Sequence, residues 1–170
     1  MQQNIILVGP MGVGKTTIGR PLANKLDMEF VDSDREIEHR TGVTISIIFE
    51  IEGEDGFRKR ESAMIDELTQ RKNTVLATGG GAILDDFNRM LMRKRGVVVY
   101  LHASVDLQLS RTRTGKNRPL LMNGDPRKTL EDLMAVREPL YRQEADIVVN
   151  TENRSPGAVA REIAERVVEL

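Results

Sequence analysis

Cysteine is absent from all 170 residues, which removes disulfides, thiolate metal sites and a cysteine nucleophile together and is compatible with a reducing cytoplasm. Histidine is nearly absent as well: His39 and His102 stand alone in the sequence, and neither is assigned a catalytic role. No excess of charge is present, since 25 Lys and Arg against 26 Asp and Glu leave a net charge of −1. With 39% hydrophobic residues, that balance argues against disorder and against a general polyanion-binding surface, so nucleic acid is not an expected partner. Long apolar runs are missing. The run Ile5-Ile6-Leu7-Val8 is too short for a signal segment or a membrane span, and Met1-Gln2-Gln3-Asn4 before it carries no basic residue. A soluble cytoplasmic protein without a membrane partner is expected, and the length fits one domain with a real core. There is no repeat, low-complexity tract or linker.

What is present begins with Gly9-Pro10-Met11-Gly12-Val13-Gly14-Lys15-Thr16, set between that apolar run and a helical pattern. The stretch fits GxxxxGK[ST], the phosphate-cradling P-loop. Glycines let the loop turn its N–H groups onto phosphate oxygens, Lys15 reaches the β/γ-phosphates, and the Thr16 hydroxyl is placed to ligate Mg²⁺. The helix that starts at Lys15 adds its positive dipole end. A plain Gly-rich turn is the alternative, but strand, loop and helix come in the order that a nucleotide site requires.

Residues 4–8 read as a strand buried on both faces, and Ile18, Leu22, Ala23 and Leu26 give the helix over residues 16–26 its inward stripe. Glu29-Phe30-Val31 is a second strand ending at Asp32-Ser33-Asp34, on the sheet edge where open α/β folds bind ligands. From Arg35 to Arg71 the pattern is helical with breaks at Thr41-Gly42 and between Gly53 and Gly56, and Phe57, Met64 and Leu68 share one face. Val75-Leu76-Ala77 is a third strand running into Thr78-Gly79-Gly80-Gly81; three glycines in a row mean either a tight turn or a close backbone approach. Asp85-Asp86 caps a helix expected to turn Phe87, Met90 and Leu91 inward and to end at Gly96.

Val97 to Leu101 is the clearest strand, followed by a helix over about 104–113 and an aperiodic, mobile loop from Thr114 to Asp125. Leu130, Leu133 and Met134 define the stripe of the next helix, and Arg137 falls on it; an inward arginine needs an anion. Ile147-Val148-Val149 is a fifth strand, and Ser155-Pro156 starts a last helix with Val159, Ile163 and Val167 inside. Five strands alternating with helices predict right-handed crossovers and a three-layer α/β/α fold with a parallel sheet. A P-loop on the first strand suggests that this strand is central.

Together the P-loop, Asp32-Ser33-Asp34, Phe57-Arg58-Lys59-Arg60-Glu61, Gly79-Gly80-Gly81, Arg118-Pro119-Leu120-Leu121 and Arg137-Glu138-Pro139-Leu140-Tyr141 resemble the shikimate kinase family of P-loop folds over essentially the whole chain. The resemblance implies an α/β fold whose five-stranded parallel sheet has the order 2-3-1-4-5, in one P-loop kinase domain over 1–170. A substrate-binding region at about 33–61 and a lid at about 113–125 go with it. The implied activity is ATP-dependent phosphorylation of the 3-hydroxyl of shikimate, a step toward chorismate and the aromatic amino acids, with ATP and shikimate as partners, Mg²⁺ as cofactor and a monomeric protein.

By the same resemblance Gly12, Val13, Gly14, Lys15, Thr16 and Thr17 hold the nucleotide phosphates, and Thr16 ligates Mg²⁺ with Asp32 supporting it through water. Asp34 binds ring hydroxyls and helps deprotonate the attacking one. Arg58, Arg137 and the Gly79, Gly80 and Gly81 backbone hold the substrate. Arg118 comes down with the lid, and Arg111 and the segment around Arg154 flank the adenine. Lys15, Asp34 and Arg118 are thus the catalytic candidates.

Phosphoryl transfer is mostly positioning and charge neutralisation: a phosphate cradle, a metal, a group for the attacking hydroxyl and a cation arriving on closure. Each part has a candidate here. Asp32 and Asp34 point to opposite sides if both are still extended, although each could instead cap the helix that follows. Arg58-Lys59-Arg60 alone fits a solvated helix face; Arg137 on an apolar stripe shifts the balance toward bidentate recognition of a carboxylate. The alternatives are another small-molecule kinase of this fold, acting on gluconate or a nucleoside monophosphate, and a non-catalytic nucleotide switch. A pure binder needs neither Asp34 nor a lid cation.

Overall fold

A computed structural model describes residues 3–112, 119–121 and 124–170. Five parallel strands, β1 (Asn4–Val8), β2 (Glu29–Asp32), β3 (Thr74–Ala77), β4 (Gly96–His102) and β5 (Ile147–Asn150), pair in the order β2-β3-β1-β4-β5. The strand carrying the P-loop is therefore central, with Leu7 opposite Ala77 on one side and Val99 on the other. The helices are α1 (Lys15–Leu26), α2 (Ser33–Thr41), α3 (Ile45–Thr69), α4 (Asp86–Arg95), α5 (Val105–Thr112), α6 (Pro126–Glu144) and α7 (Pro156–Val168).

Period-2 alternation in the strands divides the interior into two cores. Ile6, Val8, Val98 and Tyr100 face a layer that includes Ile37 of α2, Phe57 and Ile65 of α3, Leu91 and Met92 of α4, and Met134 and Tyr141 of α6. Ile5, Leu7, Val97, Val99 and Leu101 face Ile18 and Leu22 of α1 and Val159 and Ile163 of α7. The result is the expected three-layer sandwich. No helix among the described residues is long and apolar enough to cross a membrane.

The helix breaks fall close to the glycines that sequence pattern singles out. Gly42 ends α2 in the left-handed region (φ 73°), and Gly53 (φ 73°, ψ 179°) kinks α3. The sequence pattern misplaces one stripe. In α4, Phe87 and Met90 are 47% and 44% exposed, while Asn88, Leu91 and Met92 are buried. The rotation is set by polar anchors: Asp85 caps the helix through the Phe87 and Asn88 N–H groups, and Asn88 Nδ2 donates to the Ala82 carbonyl at 3.1 Å. An asparagine anchored through its amide nitrogen holds the inward position that apolar count alone gives to its neighbours.

Asn4 ties the far edge of the central strand to the α3–β3 connection. Its Nδ2 donates to the Thr69 and Arg71 carbonyls at 3.3 and 2.7 Å, and its Oδ1 accepts from Thr74 N–H at 3.1 Å. The side chain is buried, so Asn4→Ala leaves those backbone groups without partners or water. Urea unfolding is expected to show a loss of about 1–3 kcal/mol, against a change near zero if the three bonds contribute nothing.

Candidate active site

The C-terminal ends of β1, β2 and β3 lie side by side, and the loops leaving them wall a cleft of about 550 Å³. The loop from β1 turns through Gly12 (φ 78°) and Gly14 (φ 98°), conformations that L side chains resist, and Gly14 hands the chain to α1. Gly12, Val13, Gly14, Lys15, Thr16 and Thr17 all line the cleft. Lys15 Nζ donates to the Gly9 and Pro10 carbonyls at 2.6 and 2.9 Å, which holds the ammonium against the loop. Arg111, on α5, reaches across to donate to the Val13 carbonyl at 2.9 Å and the Gly12 carbonyl at 3.3 Å. Arg154 lines the opposite wall, held by the Asn150 carbonyl and by Glu162. Thr151 and Pro156, neither of them a site candidate from sequence, also line the cleft.

Asp32 does two jobs. As the N-cap of α2 its Oδ1 accepts from the Asp34 and Arg35 N–H groups at 3.0 and 3.2 Å, and its Oδ2 accepts from the Thr16 hydroxyl at 2.8 Å. Capping and site-building are thus not alternatives for this residue. Asp34 lies in the first turn of α2, so an extended-strand argument for opposite orientations does not apply to it. The helical turn instead lets both carboxylates line the one cleft.

Beyond the P-loop the cleft runs into a side pocket of about 80 Å³, lined by Met11, Asp34, Phe49, Phe57, Arg58, Glu61, Gly79, Gly80, Gly81 and Arg137 among others. The glycines are there for space, because none of Gly79, Gly80 or Gly81 has a positive φ. A Cβ on Gly79 would lie 2.8 Å from Glu61 Oε2 and 2.9 Å from Asp34 Oδ1, and one on Gly81 would collide with the Arg58 guanidinium. One on Gly80 would lie 3.3 Å from Arg137 Nη1. Four charged side chains from α2, α3 and α6 therefore press onto a turn that has no side chains of its own.

The pairing among those four is incomplete. Glu61 is buried and its Oε1 accepts from Arg58 Nη1 at 3.0 Å, but its Oε2 has no hydrogen-bond partner among the described residues, nor do Asp34 Oδ1, Arg58 Nε or Arg137 Nε. Burial raises the Asp34 carboxyl to about 7, helped by the negative charges of Glu61 and Asp32 and opposed by Lys15 and Arg58. Burial also raises Glu61, against the pull of Arg58, and lowers Arg137, which Arg58 disfavours further. Glu61 is the member of this set that sequence reading leaves without a role. Its signal is the three-residue spacing from Arg58, which puts the two on one helix face.

Arg118 and most of the 113–125 segment lie outside the described residues; Pro119 and Leu120 reach the rim of the side pocket. No group of three or more acidic or imidazole side chains able to hold a metal occurs among the described residues, which leaves the Thr16 and Asp32 oxygens as the metal candidates.

The raised Asp34 pKa has a consequence for stability. Its folded value exceeds that of an unfolded aspartate, so the folded state binds more protons between pH ~4 and ~7, and stability falls as pH rises through that window. Asp34→Asn removes this carboxylate titration. In chemical unfolding of the ligand-free protein, the variant is expected to gain on the native chain as pH goes from 4 to 8, by up to about 4 kcal/mol. A difference independent of pH would contradict the assignment.

Comparison with known proteins agrees with this geometry. A family model described as shikimate kinase matches residues 11–168. A shikimate kinase from Pseudomonas aeruginosa (strain LESB58) is 56% identical over 167 residues, covering 98% of this chain and 97% of its own. One from Halorhodospira halophila is 58% identical over 165 residues, covering 97% and 91%. The solved structure of shikimate kinase from Acinetobacter baumannii in complex with shikimate superposes with a TM-score of 0.98 at 51% identity, covering 99% of this chain and 94% of that one.

Proposed function

The chain belongs to the shikimate kinase family and catalyses ATP-dependent phosphorylation of shikimate, and from that premise we propose a role for each charged group at the sheet edge. The observation that carries the reading is the junction of two cavities at Asp34, Gly79 and Gly80: a P-loop cleft sized for a nucleotide opens into a small pocket with two arginines. Shikimate's carboxylate is gripped by Arg58 and Arg137, whose unpaired Nε groups and mutual repulsion are relieved by an anion. The Gly79–Gly81 backbone packs against the ring, and Asp34 faces the 3-hydroxyl.

Asp34 takes the proton as that hydroxyl attacks the γ-phosphorus of ATP and the bond from the γ-phosphorus to the bridging oxygen breaks, giving shikimate 3-phosphate and ADP. A carboxyl poised near 7 is well matched to this task at neutral pH, and the nearby ammonium of Lys15 favours its ionised form. Lys15 leaves the Gly9 and Pro10 carbonyls for the β/γ-phosphates, and the N–H groups of Gly12 to Thr17 cradle them. Arg111 and Arg154 flank the adenine. Arg118, carried by a lid over 113–125, adds its charge to the transferring group on closure. The region over 33–61, comprising α2 and the first part of α3, forms the shikimate side of the domain.

Mg²⁺ fits the Thr16 hydroxyl and the Asp32 carboxylate, which lie 2.8 Å apart as hard oxygen donors beside the P-loop, Asp32 acting through water. When bound it neutralises charge on the β- and γ-phosphate oxygens. We place the enzyme in the cytoplasm as a monomer.

The methyl ester of shikimate separates this reading from kinases of other acceptors, because it keeps every hydroxyl and loses the charge. With shikimate, Arg58→Ala and Arg137→Ala are each expected to lower kcat/KM about ten- to a hundredfold, as charge-assisted hydrogen bonds contribute roughly 1.5–3 kcal/mol. With the ester, native and variant enzymes should react alike and poorly. If the ester reacts as well as the acid, or gluconate or a nucleoside monophosphate outperforms shikimate in ADP release, the assignment of the pocket is wrong.

A further inference from the structure

The middle glycine of the side pocket is held from two positions one turn apart on α6. Tyr141 is completely buried, and its hydroxyl donates to the Gly80 carbonyl at 2.5 Å. Its ring stacks on that of Tyr100 from β4, centroids 5.0 Å apart and planes inclined by 22°. Arg137, four residues earlier on the same helix, brings Nη1 to within 3.3 Å of the place a Gly80 Cβ would occupy.

The neighbouring glycine carbonyls serve other bonds. Gly79 accepts from Ala82 N–H and Gly81 from Leu84 N–H, both at 3.1 Å, so the short turn that follows is fixed from within. The Gly80 carbonyl is fixed from outside, by the phenol. A peptide unit is planar, and no cis bond occurs here, so orienting the Gly80 C=O also orients the Gly81 N–H at the other end of the same plane. Glycine has the widest backbone freedom of any residue, and this segment has no side chains with which to restrict itself.

We infer that Tyr141 is a positioning residue for the acceptor: it sets the plane of the Gly80–Gly81 peptide and gives the carboxylate-binding Arg137 a fixed wall to lie against. The inference rests on the reading that Arg137 and the glycine backbone hold shikimate. Tyr141 touches neither nucleotide cleft nor P-loop; the cleft on the far side of Gly80 is lined without it. Its removal should therefore tax one substrate and spare the other.

Tyr141→Phe tests this, since the ring and its stack remain while the buried Gly80 carbonyl loses its donor and the Arg137 guanidinium its contact with the phenol oxygen. A buried acceptor left unsatisfied is costly, and part of that cost appears in substrate binding. The expected result is a shikimate KM raised about five- to tenfold with the ATP KM within about twofold of native. Tyr100→Phe, which keeps the stack and removes a hydroxyl that contacts Glu138 instead, should leave both constants unchanged. A shikimate KM within about twofold of native in Tyr141→Phe, or an equal rise for both substrates, overturns the inference while leaving the pocket assignment standing, provided Arg137→Ala still raises the shikimate KM. If Arg137→Ala also leaves it unchanged, the pocket assignment fails and the inference with it.

Discussion

Three residues without side chains make the rest of the site possible. Asp34, Glu61, Arg58 and Arg137 come from three helices, yet their charged ends converge on Gly79, Gly80 and Gly81 at distances that leave no room for a Cβ on the first and last. The requirement is spatial, since these glycines keep ordinary φ values, unlike Gly12 and Gly14 of the P-loop, which are needed for their left-handed backbone. Two glycine-rich turns thus leave adjacent strands for different physical reasons. One carries the chain from β1 into α1, and the other lets side chains from α2, α3 and α6 close in.

Convergence has an electrostatic cost. Two buried carboxylates and two arginines form only one charge-assisted hydrogen bond among themselves, between Arg58 and Glu61, and four polar atoms on these side chains have no partner among the described residues. Groups of this kind are retained where they serve binding instead of stability. An anion with hydroxyls on a rigid ring offers acceptors to the arginines and donors to Asp34 at once. On the nucleotide side Lys15 is satisfied by the Gly9 and Pro10 carbonyls, so phosphate must compete with an internal partner.

Local signals carried most of the fold. The strands of β1, β3 and β4 are continuous apolar runs of the kind buried parallel strands need, and the breaks at Gly42 and Gly53 follow from glycine's freedom alone. The placement of Asp32 and of the inward Arg137 was also legible, the first from its position at a strand end and the second from helical spacing. Long-range pairing was not. The α4 stripe went wrong because Asn88 bonds a carbonyl six residues back, which no apolar count registers. Glu61 and Tyr141 passed without a role because what matters about them is a partner, Arg58 on the same helix and the Gly80 carbonyl 61 residues away. The division of labour between Asp32 and Asp34 comes from a helix that starts at Ser33, two residues earlier than an extended Asp34 allows.

The glycine turn leaves the space in which Asp34, Glu61, Arg58 and Arg137 close on the side pocket. Gly79→Ala adds one methyl group 2.8 Å from Glu61 Oε2 and 2.9 Å from Asp34 Oδ1 and leaves every charge in place. Calorimetric titration of the folded variant with shikimate and, separately, with ATP measures the consequence directly. Shikimate affinity is expected to weaken at least about tenfold, the equivalent of ~1.4 kcal/mol, with ATP affinity unchanged. Native affinity for shikimate in that variant would contradict this reading of the turn.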